Sequence, residues 1–135
     1  MANYYGQTRT NYFFVKDADA FLAETAKYPV EVITQVKDGK TLYGFMDADS
    51  NGGGDIDNYT NEEGEYLEVD WVEFFKRHLA DGWVAVIVSS GAEKYRYISG
   101  LAHAYNSKGE FVGLDLSDIY TLANHLGDNI TTAEY

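Results

Sequence analysis

Between Lys40 and Lys76 the chain places Asp47, Asp49, Asp55, Asp57, Glu62, Glu63, Glu65, Glu68, Asp70 and Glu73, with no Lys, Arg or His among them. This stretch supplies ten of the twelve net negative charges; the rest of the chain is close to neutral. A field of one sign can draw in a basic protein surface, hold a hard cation, or keep a protein in solution. Three features favour a partner: the charge is segregated, it is not interleaved with Lys, and Tyr59 and Tyr66 within it offer the aromatic area that interface cores use. Carboxylates on a loop and a helix start can imitate the charge density of a nucleic-acid strand. A protein with a phosphate-binding groove then meets a competitor, and the attraction weakens with salt.

The sharpest local pattern is Asp47-Ala-Asp49-Ser-Asn51-Gly52-Gly53-Gly54-Asp55-Ile-Asp57. Oxygen ligands at alternate positions followed by Gly are what a Ca²⁺ loop needs to curl around one ion. Asp47, Asp49, Asn51 and Asp55 take ligand positions, with Gly52 at the sharp turn. The match ends at Gly54, where an apolar residue would pack, and at Asn58, where a bidentate Glu belongs. The flanks read as a strand and a distant helix rather than two helices. Cofactor expectations are therefore none, or Ca²⁺ at this loop.

Enzyme chemistry finds little footing. His78, His103 and His125 are scattered, and Ser89-Ser90-Gly91 lacks the flanking Gly pattern of a nucleophile elbow. Gly52–Gly54 is surrounded by acids that repel phosphate. No pair of carboxylates is singled out for acid–base work, so no catalytic residue is assigned. There is no Cys, which excludes disulfides and thiolate metal sites.

The elements that position these residues follow from periodicity and caps. Residues 10–15 read as a short strand. Asp17 caps a helix with Phe21, Leu22, Thr25 and Tyr28 on one face, ending at Pro29. Alternation over 30–36, Asp38-Gly39, and 41–46 describe a β-hairpin. Residues 47–68 read as an acidic Gly-rich loop. A second helix spans about 69–80, with Val72, Phe75 and Leu79 on one face, Trp71 and Phe74 flanking, and Gly82 beyond its end. Trp83–Ser89 reads as a central strand buried on both faces. Residues 95–105 and 111–116 form a second hairpin, with Tyr95 and Tyr97 on one strand face and Lys94 and Arg96 on the other. Ser117 caps a closing helix with Ile119, Leu122, Ala123 and Leu126 as its apolar stripe, and 128–135 form a loose tail.

Strands and helices in this order imply one α+β domain with a largely antiparallel sheet and about three helices. A chain of 135 residues, 45% hydrophobic and 16% aromatic, has enough apolar surface for one core. The opening residues carry no basic n-region before an apolar run, and no run is long enough to span a bilayer. The expectation is a soluble cytoplasmic protein with no membrane partner. A net charge of -12 disfavours direct binding to nucleic acid. An exposed hairpin edge permits a dimer without requiring one. Arg9, among Tyr4, Tyr5 and Tyr12, is placed to stack on a ring or to bind a carboxylate.

Two segments, YYGQTRTNYF starting at Tyr4 and GAEKYRYISG over 91–100, carry a resemblance. The chain resembles small acidic proteins of bacterial mobile genetic elements and phages, with YYGxxRTNYF at the N-terminus and GxEKxRY later. The resemblance extends to the closing helix at Leu126-Gly127, leaves the acidic middle divergent, and brings no catalytic role. It implies a bacterial host cell and an accessory role such as inhibition of a defence nuclease, of the anti-CRISPR or antirestriction kind. The functional expectation is thus a non-enzymatic nucleic-acid mimic that occupies the basic surface of a nucleic-acid-binding protein. The alternative is an accessory module of a mobile element that binds Ca²⁺ or another protein.

Overall fold

A computed structural model describes residues 4–48, 52–95 and 98–133. Strand β1 (Tyr5–Thr10) leads into helix α1 (Ala18–Thr25), then β2 (Val30–Lys37) and β3 (Lys40–Asp47). The acidic segment holds β4 (Asn58–Thr60) and β5 (Tyr66–Glu68), followed by α2 (Trp71–His78). Strands β6 (Ala85–Ala92), β7 (Ser99–Tyr105) and β8 (Phe111–Asp115) come next. A 3₁₀ turn (Leu116–Asp118), a one-turn α3 (Ile119–Leu122) and a second 3₁₀ turn (Asn124–Leu126) close the chain. The α+β class holds: six strands form an antiparallel sheet in the order β2-β3-β1-β6-β7-β8, with β4 and β5 as a separate pair. Among the described residues, no helix is long and apolar enough to cross a membrane.

The β2–β3 hairpin forms where Asp38-Gly39 predicts it. Both turn residues have positive φ, 53° and 76°, which suits the right-handed twist of the strands. Asp17 caps α1 by accepting from the Asp19 and Ala20 amides, and Asp70 caps α2 by accepting from Glu73 N–H. Gly82, at φ 84°, turns the chain after α2 into β6.

Helices α1 and α2 cover one face of the sheet with an aromatic core. Phe13, Phe21, Phe45, Phe74 and Phe75 are fully buried, each contributing about 2–3 kcal/mol of transfer free energy. Edge-on contacts recur: Phe13–Phe75 at 5.5 Å and Trp71–Phe74 at 5.0 Å. The buried face of α2 is Trp71, Phe74, Phe75 and His78, so the expected Val72–Phe75–Leu79 stripe is rotated and Val72 sits at its border. In α1, Phe21 and Thr25 are buried while Leu22 faces out.

Four expectations are corrected. The first strand is 5–10 rather than 10–15; beyond Thr10, through Val15, the chain forms no continuous ladder and pairs as isolated bridges, Phe13 with Tyr43 and Val15 with Leu79. The stretch 47–68 contains the β4–β5 hairpin. Its turn is built by Asn61, whose side-chain oxygen accepts from the Glu63 and Glu65 amides, and by Gly64 at φ 82°. Strand β6 is interior to the sheet, yet only one face is covered: Ala85 and Ile87 are buried while Val84 and Val88 are about half exposed. The closing helix is a single turn, and its apolar stripe is exposed because no described element lies over it. Residues 128–133 form no helix or strand, though Ala133 N–H donates to the Tyr120 hydroxyl at 2.6 Å.

Candidate functional site

Period-two alternation sets the floor of a large cavity. Because Ile87 pairs with His103 and Ala85 with Tyr105, the side chains of Ile87, Ser89, Leu101, His103 and Tyr105 share the helix-bearing face. Thr8 of β1 pairs with Ser89, and Phe111 of β8 pairs with Tyr105, widening that floor. The wall comes from the acidic segment: Gly53–Asp57, Glu68, Val69 and Asp70, closed by Trp71 at the start of α2. The cleft has a volume of about 730 Å³.

The acidic wall is fixed by the loop's own amides. Asp55 accepts from Asp57 N–H at 2.8 Å and from the Asn58 amide at 3.3 Å. Asp57 accepts from the Trp71 indole at 3.1 Å, and its carbonyl accepts from Val69 N–H at 2.7 Å. Both carboxylates remain exposed. Burial pushes the Tyr105 hydroxyl up to about 12, and the negative charges of Asp57 and Asp70 add to the shift. The Tyr105 oxygen lies 3.5 Å from His103 Nδ1. The His103 ring rests on Gly113: a Cβ there would stand 2.4 Å from its Cδ2. Ser89 and Thr8 hydroxyls meet at 2.9 Å, and Thr8 donates to the Gly54 carbonyl at 2.6 Å. Ser89 is thus held in a hydroxyl chain. Acids at the rim and aromatic rings on the floor suit an ammonium or guanidinium group.

The glycine run has a use of its own. Gly6 N–H donates to the Gly52 carbonyl at 2.6 Å, and a Cβ on Gly6 would lie 2.7 Å from the Gly53 oxygen. A Cβ on Gly54 would lie 2.9 Å from the Gly6 carbonyl carbon. The loop therefore lies backbone to backbone on β1, at a distance only glycine permits. Asp47 pins its other end by accepting from Thr8 N–H at 2.7 Å. Of the four expected Ca²⁺ ligands, Asp47 and Asp55 are engaged as described, while Asp49 and Asn51 lie outside the described residues. Among the described residues no three His, Asp or Glu side chains converge as a metal site.

The other expected contact residues divide. Asp55, Asp57, Glu68 and Asp70 meet at the cavity, and Glu62, Glu63 and Glu65 cap the hairpin beside it. Glu73 is exposed on the first turn of α2. Tyr59 is half-buried against Tyr28 at 5.0 Å and ties the hairpin to the core, whereas Tyr66 is 70% exposed. Arg9 lies 5.6 Å over the Tyr12 ring, on the opposite sheet face. Lys94 occupies a turn, while Arg96 and Tyr97 lie outside the described residues. Sequence reasoning did not single out Thr8, His103, Tyr105 or Phe111 as one surface. Alternation along 101–105 was the available signal, but only the strand order brings the acidic wall over it.

No family model matches the chain, and neither a curated protein nor a solved structure does.

Proposed function

We propose that the chain is a binding protein whose acidic face occupies the basic, nucleic-acid-binding groove of a protein partner, as an anti-CRISPR or antirestriction inhibitor does. One observation carries this reading. The eight carboxylates from Asp55 to Glu73 are exposed, and among the described residues none is in an ion pair. Their scaffold is held by the glycine contacts to β1, the Tyr59–Tyr28 packing and the Asp57–Trp71 bond. A preorganised array loses less entropy on docking than a free loop does. Its long-range field speeds encounter with a cationic groove. Tyr66 and the acid-walled cavity offer places for an Arg or Lys side chain of the partner to seat.

The test has two steps. The protein is used as bait in bacterial lysate at low and high salt, and captured proteins are assayed for binding to labelled DNA or RNA with and without it. The expected result is salt-sensitive capture of a nucleic-acid-binding protein, whose nucleic-acid binding falls when this chain is added. Combined reversal of Glu62, Glu63 and Glu68 to Lys, which leaves the Asp55 and Asp57 bonds intact, abolishes both effects while leaving the circular dichroism spectrum unchanged. Equal capture and inhibition by the reversed variant would sink the proposal.

A further inference from the structure

The uncovered face of the sheet is apolar. Cross-strand rows run Arg9–Val88–Ala102–Leu114 and, next to it, Val86–Ala104–Val112. Strands β6 to β8 contribute no charged side chain to this face. Leu116 of the closing segment folds over Gly100 on the same side; a Cβ there would meet its Cγ at 3.1 Å. Ile119 and Leu122 continue the surface along a groove of about 480 Å³ that starts at Leu114. Val88, Val112, Leu114, Leu116, Ile119 and Leu122 are 48–71% exposed, while Val86, Ala102 and Ala104 are half-buried between them.

We propose that this face is the interface of a homodimer, with a second copy of the chain as its occupant. Area is the first argument. Val88, Val112, Leu114, Leu116, Ile119 and Leu122 expose roughly 100 Å² apiece, about 600 Å² together. That is at the upper end of what monomers leave uncovered and most of the ~800 Å² each partner commits to a stable interface. Val84 and the backbone of β7 extend it. Shape is the second. On this face β7 offers only Gly100, Ala102 and Ala104, a shallow trough between the larger side chains of β6 and β8. Under a two-fold axis the leucines and valines beside one trough fill the other. Charge is the third. A chain of net charge -12 repels its copy, but the cavity-wall carboxylates Asp55, Asp57, Glu68 and Asp70 stand over the opposite face. Face-to-face contact buries none of them and leaves the two acid-walled cavities on the outer surfaces of the pair. A basic partner is drawn to those acids, whereas here the charged groups are Arg9 at the β1 end of one row and, along the groove, Asp115 and Asp118, the two acids being engaged in their own capping box.

Sedimentation equilibrium of the whole chain over a wide concentration range tests the proposal. The expected mass is twice the 15.1 kDa of one chain, retained at high salt because the contact is apolar. Val112→Glu on β8 and, separately, Leu122→Glu on α3 each weaken association about a hundredfold or more, with unchanged circular dichroism. Both positions are exposed, so neither substitution disturbs the core, and they lie on different elements. A wild-type mass of 15.1 kDa at every concentration overturns the proposal, whatever else then covers the face. So does a dimer that both variants leave intact.

Discussion

The Glu24 carboxylate on α1 lies 2.7 Å from the buried His78 imidazole on α2, the one polar side chain on that helix's buried face. The same carboxylate accepts from the Tyr28 hydroxyl at 2.6 Å and from Arg77 at 2.5 Å, so a single acid ties the two helices together. Burial alone would raise its pKa. Hydrogen bonds from Tyr28, His78 and Arg77, with the Arg77 charge, outweigh that and hold it below the ordinary value of 4.5.

Glu24→Gln is expected to lower stability at neutral pH by about 1–3 kcal/mol, the cost of leaving partly buried donors without their anion. The folded carboxyl is the stronger acid. Its contribution is therefore complete above the unfolded value of 4.5 and disappears as pH falls through the lower folded value. Urea titrations at neutral and acidic pH should show the gap between wild type and variant closing on the acid side. A gap independent of pH would contradict this assignment.

Gly54 and Gly64 share a backbone conformation, with φ of 74° and 82°, but not an environment. Nothing lies within 4 Å of a Cβ on Gly64, whereas one on Gly54 meets the Gly6 backbone. Gly64→Ala should cost about 1 kcal/mol, from the left-handed conformation alone. Gly54→Ala should cost at least twice that and speed exchange of the Thr8 amide, because the loop that positions Asp47 must lift from β1. Denaturation with hydrogen exchange separates the two; equal effects would mean the close approach is unimportant.

Tyr105 should be among the last tyrosines to titrate, still protonated at about pH 11 in NMR of isotope-labelled tyrosine. Asp57→Asn with Asp70→Asn should move its midpoint downward, leaving the larger shift that burial causes. A midpoint unmoved by the double substitution would place those carboxylates too far away to shape the cavity's field.

The elements with chemical punctuation were legible in the sequence. Asp38-Gly39 marked the first hairpin, Asp17 the start of α1, and the acids ahead of Trp71 with Gly82 beyond His78 bracketed α2. The β4–β5 pair was missed because three-residue strands show no period, and its punctuation, Asn61 and Gly64, was submerged among carboxylates. The unbroken apolar run Ala85–Val88 and the Ile119–Leu122 spacing identify apolar faces. They carry no information about whether anything covers those faces, so buried strand faces and a packed closing helix were inferred where the sheet is open. The candidate site failed for a related reason. Its floor, Leu101, His103 and Tyr105, is encoded locally, but its wall reaches it through strand order, which depends on pairings between segments far apart in the chain.

That strand order also bears on synthesis. All six residues of β1 pair with β6, about 80 residues later, and β1 meets β3 at a single pair, Arg9 with Met46. At roughly 5–20 residues per second, the first strand waits several seconds on the ribosome before its main neighbour emerges. Only the β2–β3 and β4–β5 hairpins and helices α1 and α2 can form locally in that interval. The newborn chain thus carries its aromatic N-terminal third without a finished sheet to cover it, and its dense negative charge is what then keeps such chains apart.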